Sequence, residues 1–205
     1  MPEQNLPIVK YESVLAAEIA DLLSSRQDLL STEAICEHLV VVLSAGNDES
    51  QLADVLWTAA LVRYARCFTT GKRKPLDPAL ISHLHGDPIG AHNYYKNQRD
   101  KLIAHSVNPF EQSLIGIVLS PPEAEARQVK GIADLYVRMI VSDLHGVKEL
   151  AALAHEFRYQ IELMIEQGKQ KLLAEVKDIP LATLYQLEPF EIKPPAPDMA
   201  AKGRK

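Results

Sequence analysis

Arg99, Asp100 and His105 close one helical stretch of this chain, and together they could act on a phosphate. A guanidinium stays charged, and its planar fork matches phosphate oxygens. An imidazole exchanges a proton near neutral pH. Six residues are about 240° of a regular helix, so the Arg99 and His105 side chains stand about 120° apart and flank one edge. His92 and Tyr95 precede Arg99 by seven and four residues, on nearly the same stripe, and could assist. Asp100 can orient a neighbouring arginine or histidine through a charge-assisted bond. Such a set suits metal-free cleavage of an RNA phosphodiester. Histidine would act on the 2′-hydroxyl or the leaving oxygen, and arginine would stabilise the phosphorane. General acid–base help contributes ~10² to 10⁴ in rate, and electrostatic stabilisation a similar or larger factor. The same residues also have a plain structural reading. A cationic ring is favoured at a helix C-terminus, and an arginine can pair with an acid on a neighbouring helix.

The charge pattern points the same way. The chain carries a net charge of -5, which gives no general attraction to nucleic acid or anionic membranes. A polyanion site must therefore be local. Arg63, Arg66, Lys72, Arg73 and Lys74 cluster in one segment, and Lys96, Arg99 and Lys101 follow. Between residues 59 and 110 only Asp77, Asp87 and Asp100 oppose them. A basic sector on an acidic chain is what a local RNA surface requires, although basic residues also favour helix C-termini and solvated loops.

Other chemistries find less support. His83, His85 and Asp87 alternate in a loop without a matching partner cluster, so no metal is expected. His145 and His155 fall on a long helix and read as ordinary surface or core residues. Cys36 and Cys67 lack knuckle spacing and read as reduced thiols. No phosphate-binding glycine loop or nucleophile elbow is present, and no cofactor is expected. The N-terminus lacks a basic start followed by an apolar run, and the apolar stretch Leu39 to Leu43 is too short to span a bilayer. The expectation is a cytoplasmic chain without a membrane partner.

The elements that must position these residues are mainly helical. Apolar spacing predicts helices over about 11–25, 31–44, 50–69, 88–105 and 142–177. Ser31 serves as an N-cap for the second, Gly46 and Gly71 end the second and third, and Asp87-Pro88 starts the fourth. Ser113 to Leu119 and Lys130 to Val141 are β-branched and predict a small antiparallel ribbon. The fold expected is a mainly α helical bundle of about five helices with a two-stranded β-ribbon insertion. Residues 1–10 form a loose N-terminal arm, 11–178 a single domain, and 179–205 a mobile tail rich in proline and lysine. The far end of the long last helix could project beyond the core or pack on a second subunit.

The string Tyr94-Tyr95-Lys96-Asn97-Gln98-Arg99-Asp100-Lys101-Leu102-Ile103-Ala104-His105-Ser106 resembles the motif of HEPN domains (higher eukaryotes and prokaryotes nucleotide-binding). That motif is an arginine, a polar residue, about four further residues and a histidine. Arg99, Asp100 and His105 occupy those places, and Lys101, Ala104 and Ser106 match the common flanking pattern. The resemblance covers about residues 50 to 170, with its specific part about a dozen residues long. It implies a helical bundle and a metal-independent ribonuclease. It also implies a homodimer in which arginine and histidine of both subunits meet in one cleft, and a toxin–antitoxin or antiphage setting with an antitoxin or defence partner protein. The β-ribbon is not part of the minimal HEPN bundle. Some members keep the motif without nuclease activity, so a non-catalytic module binding a nucleotide or a protein partner stands beside the enzyme.

Overall fold

A computed structural model describes residues 6–45, 50–102, 111–138 and 143–191. Among these the chain is mainly helical, with one two-stranded antiparallel sheet. Helix α1 spans Val14–Ser44 and α2 Ser50–Ala65. A short 3-10 turn at Pro78–Ile81 leads to α3, Pro88–Leu102. Strands β1, Glu111–Leu119, and β2, Val129–Arg138, form the ribbon. Helix α4 runs Leu144–Lys177, and the short α5 covers Leu181–Leu184. A helical bundle with a small β-ribbon is thus the architecture.

One expected boundary is absent. The first two predicted helices are a single 31-residue helix. Ser13 caps it, its hydroxyl accepting from the Ala16 amide at 3.0 Å. No glycine or proline interrupts the run that follows. Ser31 is no cap. Its hydroxyl donates to the Gln27 carbonyl at 2.9 Å, and Thr32 donates to Asp28 O at 3.0 Å. Satisfied within the preceding turn, these hydroxyls remain in the helix interior.

The other helices keep their predicted identities; the predicted last residues of the fourth, 103–105, lie outside the described residues. Helix α2 stops at Ala65, four residues early, and the turn after it closes with the Leu76 amide bonded to Cys67 O at 2.8 Å. Asp87 caps α3 through the Gly90 amide at 2.8 Å, with Pro88 as the first helical residue. A Cβ at Gly90 would stand 2.1 Å from the Asp87 carboxylate, so glycine lets the cap sit close. Asp143 caps α4 in the same manner, through the Gly146 amide at 2.8 Å.

The core lies where α1, α2, α3 and α4 meet, around Leu29, Leu39, Trp57, Tyr64, Phe157 and Ile161. Helices α1 and α4 pack antiparallel and closely. A Cβ at Gly168 would lie 2.9 Å from the Ile19 side chain. Further along, Arg158 of α4 grips Glu33 of α1, with Nε 2.6 Å from Oε1, both side chains 17% exposed. No helix among the described residues is long and apolar enough to cross a membrane.

The chain ends also differ from expectation. Val9 and Pro189 form an antiparallel bridge, Lys10 N bonds to Glu188 O at 2.7 Å, and Phe190 N to Ile8 O at 2.9 Å. Residues 8–10 are therefore paired, and the predicted tail is folded as far as this bridge. The backbone amides of both segments find partners in each other, which sequence composition does not reveal. The rest of the predicted tail, 192–205, lies outside the described residues.

Candidate functional site

Helix α3 carries the candidate site, and its two halves sit in different surroundings. The first half is sunk in the core. The His92 ring packs edge-on to Phe68 with centroids 4.4 Å apart, and also meets Tyr64 and Phe157. Its Nδ1 is 2.9 Å from the Tyr64 hydroxyl. Burial, with a smaller push from Lys96, lowers the His92 pKa to about 4. The ring is neutral at pH 7 and shielded from solvent. Tyr95 lies edge-on to Trp57, with its hydroxyl 2.6 Å from Glu149 Oε2 and 3.0 Å from Gly146 O. Burial and the Glu149 hydrogen bond raise its pKa. His92 and Tyr95 therefore lie on the stripe expected of them, but that stripe faces inward. They brace α3 against α2 and α4 and do not assist at a surface site.

The last turn opens. Arg99 is half-buried, its side chain 30% exposed, with Nη1 held 2.9 Å from Asp100 Oδ1. Lys96 Nζ approaches the other Asp100 oxygen at 3.6 Å. Asp100 thus pairs with Arg99, and Lys101 beyond it is exposed. Two buried polar atoms here have no partner among the described residues: Gln98 Oε1 and Arg99 Nε. The Gln98 amide nitrogen is engaged, donating to the Tyr94 hydroxyl at 2.7 Å. His105, the proposed acid–base group, lies outside the described residues.

The basic sector divides in two. Asp28, buried on α1, draws three guanidiniums. Arg63 Nη1 lies 3.1 Å from Oδ1, while Arg73 Nη2 and Arg66 Nε lie 3.0 and 3.7 Å from Oδ2. Arg73 also donates to the Arg66 carbonyl at 2.8 Å. Lys74 is tied to α1 through Asp21 and Glu18, at 3.0 and 3.4 Å. Lys72 is exposed on the same loop and also has a partner. These residues pin the loop after α2 onto α1. The ring contacts Trp57–Tyr95 and Tyr64–His92 show that α2 and α3 run antiparallel. Arg63 lies six residues beyond Trp57, and Arg99 four residues beyond Tyr95 in the opposite direction. At 1.5 Å per residue the two clusters are separated by roughly 15 Å along the helices. The single basic surface read from sequence is an arginine knot at one end and an Arg99–Lys101 turn at the other.

Asp28 was missed as a structural centre. The available signal was its place in the series Ser25, Asp28, Leu29, Thr32, Cys36, Leu39, which is the buried face of α1.

The histidine loop does not converge. His83 Nε2 pairs with Glu156 at 3.2 Å, and His155 with Glu33 at 3.2 Å. His85 lines an open groove of about 490 Å³ with Asp87, Glu149 and His155. No group of three metal-ligating side chains comes together among the described residues. Both cysteines are free and buried, and burial pushes each thiol up to about 12.

Comparison with protein-family models, with curated proteins and with solved structures finds no match for this chain.

Proposed function

We propose that the chain is a metal-independent endoribonuclease of the HEPN type. Its centre is the open end of α3, and it works as a homodimer in the cytoplasm, in toxin–antitoxin or antiphage defence. Arg99 binds the scissile phosphate and stabilises the charge that develops on it. Asp100 is a positioning residue that fixes the guanidinium. His105 moves the proton, and Lys96 and Lys101 hold the flanking backbone of the RNA. An antitoxin or another defence protein is the proposed partner that restrains the activity.

The observation that carries this reading is the contrast within the motif. The helix is anchored by buried rings, yet at Arg99 it emerges half-exposed, the guanidinium held from one side by Asp100. Gln98 Oε1 and Arg99 Nε have no partner among the described residues, a trait shared with Ser25 Oγ and Arg26 Nε of α1, so the reading rests on the half-exposed guanidinium.

A second reading has its own support. His92 and Tyr95 are core residues, and Arg63, Arg66 and Arg73 serve Asp28. Much of the chemistry-bearing set thus has a structural job, which suits a non-catalytic helical module that binds a nucleotide or protein.

Total RNA incubated with the purified protein, with and without chelator, separates the two. The ribonuclease reading expects chelator-resistant cleavage that Arg99→Ala and His105→Ala each abolish while helical content is unchanged. The absence of cleavage by the wild type, or its persistence in either variant, refutes it.

A further inference from the structure

Asp28 collects more positive charge than it can neutralise. Its side chain is 5% exposed, and Arg63, Arg66 and Arg73 converge on it, each with a nitrogen within 3.7 Å. Three guanidiniums and one carboxylate leave a surplus of two positive charges, on a chain whose net charge is -5. The C-terminus of α2 offsets about half a charge. Glu18 and Asp21, the other acids that hold this loop, are met by Lys74. The three arginines are not equivalent. Arg73 is 19% exposed and fully engaged: both Nη atoms lie 3.0 Å from Asp28 Oδ2, and Nη2 also donates to the Arg66 carbonyl. Arg63 is 46% exposed and reaches Oδ1 with Nη1 alone. Arg66 is 52% exposed, and its Nε stands 3.7 Å from Oδ2, too far for a hydrogen bond. Guanidiniums gathered in this way repel one another unless an anion joins them.

We propose that Arg63 and Arg66 bind a phosphate dianion, free or as the terminal phosphate of a nucleotide, with Asp28 and Arg73 as positioning residues. The charge count selects the ligand. A terminal phosphate carries nearly two negative charges and matches the surplus. A phosphodiester carries one and matches it less well. The chemistry fits as well, because the planar guanidinium fork complements paired phosphate oxygens. Arg66 supplies its two Nη atoms, and Arg63 the nitrogens that Asp28 does not use. The buried carboxylate gathers these side chains before the ligand arrives, so less freedom is lost on binding. The site lies roughly 15 Å along the helices from Arg99 and does not depend on the ribonuclease reading.

Calorimetric titration of the full chain with inorganic phosphate, at pH 8 and constant ionic strength, should show saturable binding. Arg66→Ala should weaken it about tenfold or more, as expected for the loss of a charge-assisted pair. Helical content should be unchanged, because the Arg66 side chain stands beyond hydrogen-bond distance of Asp28. Arg99→Ala should leave this binding in place. Adenosine 5′-monophosphate distinguishes the sources: tighter binding than phosphate identifies a nucleotide, and equal or weaker binding identifies the free ion, either of which supports the site. A further arm needs no variant. Phosphate affinity should fall severalfold between pH 8 and pH 6 as the ion takes up a proton, while that of sulfate, a dianion throughout, is unchanged. No saturable binding by the wild type, equal affinity in Arg66→Ala, or loss in Arg99→Ala with retention in Arg66→Ala overturns the proposal. A parallel fall for phosphate and sulfate overturns it too, and this arm decides should Arg66→Ala fail to fold. Binding is read without RNA, so failure here is distinct from failure of the ribonuclease reading.

Discussion

The two ends of α3 share one helix, yet they are subject to different physics. At His92 and Tyr95 the surroundings are aromatic and dry. A histidine there loses its proton affinity and becomes a packing residue. Two turns later, at Arg99, the side chain reaches water and its partner is a neighbouring carboxylate. Residue type alone marks both ends as chemistry-bearing, and environment decides which end can act. The comparison teaches that residue type on a helix does not reveal environment: burial lowers the His92 pKa, while Arg99 keeps a partly exposed, ion-paired guanidinium.

The largest test of that contrast is Arg99→Ala. Loss of a preorganised charge donor at a developing anion typically reduces turnover ~10²- to 10³-fold. An equally large fall in RNA cleavage by initial rate, with no change in melting temperature, is expected. A drop in stability of matching size would erase the distinction between the two ends.

Next in size is a pH effect at the buried end. His92 has a folded pKa of about 4, below its ordinary value of 6.5. As pH falls between these values, the unfolded chain takes up a proton that the folded chain refuses. Stability attributable to this ring is thus intact above pH 6.5 and declines through the window, by roughly 3 kcal/mol near pH 4. Urea unfolding of wild type and His92→Asn should show the wild-type advantage at pH 7 shrinking as pH drops to 4. A constant difference would mean that the ring titrates normally and is not desolvated.

The smallest effect belongs to Lys101. As a phosphate contact, its replacement by alanine should weaken RNA binding only modestly. It should also lower the slope of log affinity against log salt by about 0.7 to 0.9. An unchanged slope would remove Lys101 from the interface and narrow the open end to Arg99 and its immediate neighbours.

Much of this was legible in the sequence, for stated reasons. Helical spacing located α2, α3 and α4, and Asp87-Pro88 marked where α3 starts, because cap chemistry is local. The β-ribbon was readable from its β-branched runs for the same reason. What failed depended on tertiary placement. Ser31 and Thr32 resemble a cap, but their hydroxyls return to the carbonyls of the preceding turn, so α1 continues. The stripe His92, Tyr95, Arg99 was correctly drawn on the helix. Which way it faced depended on Phe68, Phe157 and Trp57, distant in sequence. Arg63 and Arg73 read as RNA ligands until Asp28, thirty-five and forty-five residues away, accounts for them.

The most direct test measures turnover per folded molecule and melting temperature together, for Arg99→Ala and Tyr95→Phe. The Tyr95 hydroxyl bonds a carboxylate, and its loss should lower stability by about 1.5 to 3 kcal/mol. The account predicts that Arg99→Ala loses cleavage and keeps its melting temperature, while Tyr95→Phe melts earlier and cleaves normally while folded. Cleavage untouched by Arg99→Ala, or abolished in folded Tyr95→Phe, would contradict it.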